Sequence, residues 1–449
     1  MVGGSVSVRR YDTSPRTHAL CGALLVATLA VRVADAADTP PTAQGSAIRL
    51  EDAVQLTLTR NERARISDLN VTVAEAAVEK ARTAFLPVVT AAGTDTQHAY
   101  AATPSAPNNI GQATATINQP IVNAPAFPLY AQAKNLANAQ HAQNVDDKRV
   151  LAFQAASAFF AALQAQAVVQ AATRQLDNAK ANLKDASDRV DSKLSGSNDA
   201  TRAQIDVSGA QRELDTDKGL LDNALVQLAF VLNAPVPASC ADPAPTLAAS
   251  RQAPPSADSL VQFAFGHRPD MVASKYAAVA AHDFAGEPML RLVPTLGLQG
   301  QTLVTTNPGP LDHWNDETVT ATLTWTIFDS GVRYADKHSR DAQAEIADLT
   351  FTQLRRNVDA QVRGALALLV AAQAAVRSAE ETTKAAQTNV DETSILYKQG
   401  LAKAIELVDA NDTRFSAEVA YAQAQYGLAQ AYMNYRQALG LDPLGTEIQ

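Results

Sequence analysis

Aromatic residues make up only 5% of this chain and charged residues only 18%, below the share usual for a soluble enzyme. Cysteine is almost missing. Of the two present, Cys21 lies in an N-terminal apolar run and Cys240 in Pro/Ala-rich sequence, so disulfides do not hold the fold together. Beyond the N terminus no run of 18 consecutive apolar residues occurs, so no helical membrane span is expected. Gly-x-Gly-x-x-Gly and phosphate-loop patterns are absent. His267, His282 and His313 lack the Cys/His/carboxylate spacing of a zinc site, and the surroundings of Ser330 are not a nucleophile elbow. No catalytic residue, cofactor or metal is therefore expected. A net charge of -9 argues against nucleic acid as a partner. What is present is Ala, Val and Leu within a 47% hydrophobic composition, which suits long, closely packed helices.

Residues 1–36 read as an export signal. Arg9, Arg10 and Arg16 precede the apolar run from Ala19 to Ala30, and Val33-Ala34-Asp35-Ala36 supplies a small-x-small cleavage site. The mature protein is then an exported one.

The remainder follows one plan twice. Residues 61–87 and 268–294 share a layout ending at Pro87 and Pro294. The expected domains are a first repeat at 37–234, a Pro/Ala/Ser-rich linker at 235–256, a second repeat at 257–440 and a tail at 441–449. Each repeat is read as strand, strand, long helix, turn and returning helix. The helical tracts run roughly 128–232 and 333–438. Leu354, Val358, Val362, Ala365, Leu369, Ala372 and Val376 keep coiled-coil spacing, as do Val169, Ala172, Leu176, Ala179 and Leu183. A helix from about 333 to 398 is ~100 Å long at 1.5 Å per residue. Turns are expected at Gly196 and Gly400, since glycine supplies the left-handed geometry that ends helices.

Strands are expected at about 88–100, 111–121, 292–304 and 317–328. In the last, Val319, Ala321, Leu323, Trp325 and Ile327 alternate with threonines, giving one apolar and one polar face. Tilted strands of this length fit an outer membrane, and equally a half-buried soluble sheet. Four strands are too few to close a barrel, and lipid tolerates no open edge, so the membrane reading demands several copies. Trp325 and Tyr100 fit a membrane boundary or ordinary strand packing. Asp329 and Gly331 stand where a strand must turn into a helix, and read as architecture.

Three stretches carry a resemblance: Tyr397-Lys398-Gln399-Gly400-Leu401 with Glu406-Leu407-Val408-Asp409-Ala410, Thr326-Ile327-Phe328-Asp329-Ser330-Gly331, and Leu50-Glu51-Asp52-Ala53-Val54 with Asn61. The chain resembles the TolC-type outer-membrane efflux channels over nearly all of residues 50–440. That resemblance implies a mixed α and β membrane protein. Four strands per chain enter a trimeric twelve-stranded β-barrel, continuous with a long periplasmic α-helical coiled-coil barrel. It also implies a homotrimer in contact with outer-membrane lipid, a periplasmic adaptor and an inner-membrane transporter as partners, and passive conduction of small molecules. One-step polypeptide secretion or metal export is the nearest alternative, and a trimeric coiled-coil structural or adhesive protein the alternative class. By position, the resemblance assigns Glu406 and Asp409 to the periplasmic entrance, with Asp206 as the first-repeat acid and Tyr397 as part of the closed tip. The family's nearby arginine has no counterpart: Ala402 stands there, followed by Lys403.

Overall fold

The computed structural model describes residues 47–97, 109–193, 196–306 and 313–445. The export signal, Tyr100 and most of the two loops between paired strands lie outside the described residues.

The chain opens with helices α1 (Leu50–Arg60) and α2 (Glu62–Arg82), then strands β1 (Val88–Gln97) and β2 (Asn109–Val122). The 66-residue α3 (Ala126–Asp191) and the 36-residue α4 (Ser197–Leu232) complete the first half. After a short α5 (Ala244–Ser250), the order recurs as α6 (Ala257–His267), α7 (Pro269–Leu290), β3 (Thr295–Thr305), β4 (Asn315–Thr324), α8 (Val332–Lys398) and α9 (Ala404–Leu439). The shift between Leu50 and Ala257 is 207 residues, and the same shift of 207 relates Ser197 to Ala404. The halves therefore superpose in sequence without insertions in their helices.

The shared plan extends to single bonds. Asn61 breaks α1 from α2 and Arg268 breaks α6 from α7, both with extended backbone (ψ 132° and 122°). Asn61 Nδ2 donates to the Val231 carbonyl at 2.7 Å, and Arg268 Nη1 donates to the Ala438 carbonyl at 3.1 Å. Each break thus satisfies an orphan carbonyl at the end of a returning helix. Those helices terminate at left-handed residues, Asn233 (φ 48°) and Gly440 (φ 84°). Glu75 on α2 pairs with His141 on α3 at 3.1 Å, and His282 on α7 pairs with Asp348 on α8 at 2.9 Å, the same two positions with acid and imidazole exchanged.

Two apolar clusters run along the helices. One joins Leu50 and Val54 to Phe159, Phe160, Leu228 and Met433; the other joins Leu260 and Val261 to Val358, Val362, Leu369 and Leu439. The first also contains the fully buried Ala152, Ala155 and Ala156, which let helix axes approach closely. α3 and α8 contain stretches apolar enough to cross a bilayer by composition. Their length is about three times a hydrocarbon core, and one set of their apolar side chains packs on neighbouring helices while another, including Leu136, Leu349 and Val370, is exposed.

The sheet is antiparallel throughout, in the order β1-β2-β3-β4, with β1 and β4 as free edges. Its register puts Val89, Ile117, Gly300 and Val319 in one row of one face, and Thr90, Thr116, Gln301 and Thr318 in the adjacent row of the other. β1 and β4 are exposed along their whole length. Neither face is packed as a half-buried soluble sheet requires.

Some expected boundaries differ. β4 stops at Thr324, short of the expected 328, and β3 starts at Thr295 and not at 292. Past these sheet ends the carbonyls find side chains instead of a neighbouring strand: beyond β4 Arg333 Nη2 donates to Ile327 O at 2.8 Å, and before β3 Leu292 O accepts from Trp325 Nε1 at 3.0 Å. The 235–256 segment is folded against the rest. It contains α5, and Cys240 makes a parallel bridge to Ile48 while its N–H donates to Gln166 Oε1 at 2.9 Å.

A Cβ on Gly440 meets Arg268 Cγ and Cα at 2.9 and 3.0 Å, whereas one on Gly400 (φ 76°) meets nothing within 4 Å. Gly400→Ala is expected to cost about 1 kcal/mol from strain alone, and Gly440→Ala at least twice that (~2 kcal/mol or more) because a buried arginine must also shift. Thermal unfolding of the two variants side by side checks the ranking.

Candidate functional site

The helix tips gather the candidate residues. At the second tip, Gly400 takes the left-handed conformation, and Leu401 N–H donates to Leu396 O at 2.9 Å. At the first, left-handed geometry falls on Lys193 (φ 57°), and Gly196 is an extended N-cap (φ −81°). Lys193 occupies the position that corresponds to Gly400 under the 207-residue shift, so the turn is conserved between halves while its glycine is not.

Tyr397 is buried at the end of α8. The Arg189 guanidinium of α3 sits 4.4 Å from its ring centroid, and Nη2 donates to the Lys398 carbonyl at 3.4 Å. A cation over an aromatic face is attracted by the ring quadrupole. The tip arginine missing after Tyr397 in sequence is thus matched by one from another helix. Sequence reasoning had no means of seeing it, because Arg189 is distant along the chain and adjoins an ordinary heptad position.

Glu406 and Asp409 are both exposed on α9. Glu406 Oε2 accepts the Lys403 N–H at 3.3 Å, so this carboxylate partly caps its own helix. Asp409 is three residues from Asp412, whose Oδ1 accepts from Gln175 Nε2 at 2.8 Å. Burial, and then Asp409, push the Asp412 carboxyl above its ordinary range. Burial, and then Asp412, do the same to Asp206 of α4. Asp206, Asp409 and Asp412 therefore form one cluster across α4 and α9, with Asp412 as the member the sequence reading omitted. Its i,i+3 spacing from Asp409 was the available signal. Under the 207-residue shift the counterparts of Glu406 and Asp409 are Asp199 and Arg202, so Asp206 is linked to α9 through Asp412 and not by repeat position. A cavity of about 310 Å³ opens beside this cluster, lined by Asn182, Arg202, Asp206, Tyr397 and Leu407 among others.

At the opposite end, Asp329 holds the strand-to-helix crossing. Its Oδ1 accepts the Gly331 N–H at 3.2 Å and its Oδ2 the Arg333 N–H at 3.1 Å. Desolvation acts to raise this carboxyl, but those backbone donors and the Arg333 charge hold it below its ordinary range. Ser330 and Gly331 are both left-handed (φ 58° and 87°). Asp329 and Gly331 thus set the backbone of the crossing, Asp329 by capping and Gly331 by its left-handed φ.

The sheet supplies the other candidate surface. One face carries Val89, Ala91, Ala113, Ile117, Leu298, Val319 and Leu323; the other carries Thr90, Thr114, Thr116, Gln299, Gln301, Thr320 and Thr322. Asp95 and Glu317 end the apolar band toward the β1–β2 and β3–β4 loops.

Raised carboxyls bind protons more tightly in the folded tip than in the unfolded chain, so acidification through the raised values stabilises the α4–α9 contact, and the gain is lost as pH rises past them. Hydrogen exchange in 199–212 and 404–415 is expected to slow on acidification beyond the intrinsic pH effect. In Asp206→Asn that excess is expected to shrink, and in Asp206→Asn with Asp412→Asn to vanish. A second expectation is that Arg189→Ala loosens the tip by about 1 kcal/mol, read as faster exchange at 393–401 with no change near α1.

Residues 260–441 match the outer membrane efflux protein family. Over 132 residues the chain is 29% identical to protein CyaE of Bordetella pertussis, spanning 29% of this chain and 28% of that protein. The match therefore covers less than a third of this curated relative. Among solved structures, CusC superposes with a TM-score of 0.76 at 16% identity, covering 87% of this chain and 92% of that one. The CmeC outer membrane channel of Campylobacter jejuni gives 0.73 at 14% identity, covering 87% and 85%. The open-state MtrE outer membrane channel of Neisseria gonorrhoeae gives 0.73 at 18% identity, covering 88% and 89%. Residues 260–441 thus match the outer membrane efflux protein family, the chain shares the fold of solved outer-membrane channels over most of its length, and both point to the bacterial outer membrane.

Proposed function

We propose that three copies of the chain join their sheets into a twelve-stranded barrel and their helices into a tapering tunnel. This duct passively conducts small molecules across the outer membrane. The observation that carries this reading is the open four-stranded sheet: apolar on one face, threonine- and glutamine-rich on the other, covered on neither, with two unpaired edges. Lipid tolerates no such edge, and pairing β4 of each copy with β1 of the next removes it. The apolar face then meets lipid and the threonine face lines the water-filled passage.

α3 and α8, each about 100 Å long, extend the passage into the periplasm. The tips engage a periplasmic adaptor, which links the duct to an inner-membrane transporter; energy enters there. At the tip, threefold symmetry brings Asp409 and Glu406 of three chains around one axis, where their fields add. Asp206 and Asp412 enlarge that negative surface. The ring attracts cations and opposes full closure, while Arg189 and Tyr397 oppose opening.

Purified in detergent, the chain is expected to have the mass of three copies. In planar bilayers, replacing Glu406 and Asp409 together by Ala is expected to reduce cation preference several-fold (~3- to 10-fold) by removing the focused field. Equal conductance for all cation types before and after the change removes these residues from the entrance.

A further inference from the structure

The 207-residue shift turns each contact between the two halves into a template for one that a single chain cannot make. Arg149 of α3 lies buried where the first half meets the second. Its Nε and Nη2 donate to Asp146, and its Nη1 donates to the Gln437 carbonyl of α9 at 2.7 Å. Under the shift Arg149 becomes Arg356 of α8, and Gln437 becomes Phe230 of α4. The two carbonyls have matching surroundings. Gln437 O accepts the Gly440 N–H at 3.2 Å, and Phe230 O accepts the Asn233 N–H at 3.3 Å. Their neighbours Ala438 and Val231 accept from Arg268 and Asn61. Arg356, however, is exposed and has no hydrogen-bond or ion-pair partner among the described residues.

Apolar side chains repeat the pattern. Met433 is 1% exposed at the internal junction and its counterpart Val226 is 62% exposed; Ala280 is 1% exposed and its counterpart Val73 is 69% exposed. On α8, Val370 is 49% exposed where its counterpart Leu163 is 2% exposed. Within the chain α4 packs mainly on α3, and α8 on α7 and α9, so Arg356 and Phe230 do not serve each other. The chain thus displays both halves of one interface, each unfilled.

We propose that Arg356 of one copy donates to the Phe230 carbonyl of the next. It closes the end of α4 as Arg149 closes the end of α9. The α8 surface around Arg356 and Val370 then docks on the α2–α4 surface around Val73, Val226 and Phe230. This contact rests on the trimeric reading given above and names the residues that join the copies. Such an interface is heterologous, head to tail, and ends in a closed ring. Arg356 is a positioning residue: it satisfies a helix-end carbonyl and sets the register of one copy on the next.

The test uses the full chain purified in detergent. Arg356→Ala is expected to raise the dissociated fraction about tenfold at a fixed temperature, the effect of losing one charge-assisted hydrogen bond, with Arg356→Lys intermediate. In a Cys240→Ala background, Arg356→Cys with Phe230→Cys and a short bis-maleimide is expected to give covalent dimers and trimers on a denaturing gel, and each single substitution only monomers. A wild-type mass of three chains with neither effect overturns the contact and leaves the trimer standing. Cross-linking without any change in Arg356→Ala dissociation overturns the arginine bond. A monomeric wild-type mass overturns both.

Discussion

An exposed strand edge is a row of donors and acceptors that hydrocarbon cannot satisfy. β1 and β4 present two such rows, and the sheet between them is covered on neither face. In the proposed assembly, identical copies supply the missing neighbours. A duplicated sequence suits that assembly, because the antiparallel β2–β3 pairing inside the chain is the repeat equivalent of the β4–β1 pairing proposed between copies.

Length substitutes for bulk in the helical part. Alanine-rich seams bury little area per residue, so the gain per turn is small. α3 and α8 gather that gain over 66 and 67 residues. The few large buried groups, Phe159, Phe160 and Met433, are concentrated near the ends of α4 and α9. There the breaks at Asn61 and Arg268 also tie the opening helices to the returning ones. The region between sheet and tip is thus firmest about its middle, and the tips are held by the Arg189–Tyr397 contact and the small cluster around Leu176 and Leu214.

Periodicity made much of this legible. Heptad spacing located both long helices to within a few residues, and alternation located all four strands, because each signal is a property of neighbouring residues. The strand ends were harder: the Thr-Trp-Thr-Ile-Phe alternation continues past Thr324, but Arg333 takes the carbonyls that a neighbouring strand would need. Contacts between distant segments were out of reach. Nothing local announces that Arg189 stacks on Tyr397, or that Asp206 meets Asp412 and not its repeat counterpart. The segment after Asn233 read as a linker on composition, since proline and alanine carry no periodic signal, yet its Cys240 is part of the core.

The exchanged pairs, Glu75 with His141 and His282 with Asp348, occupy equivalent positions in the two halves. Both halves encode the same contact with opposite polarity. Recombination between the halves in the span separating the paired positions would join Glu75 to Asp348, or His282 to His141. One product faces two carboxylates and the other two imidazoles, so neither restores an attraction. Because both pairs are more than half exposed, each such mismatch costs about 1 kcal/mol at most.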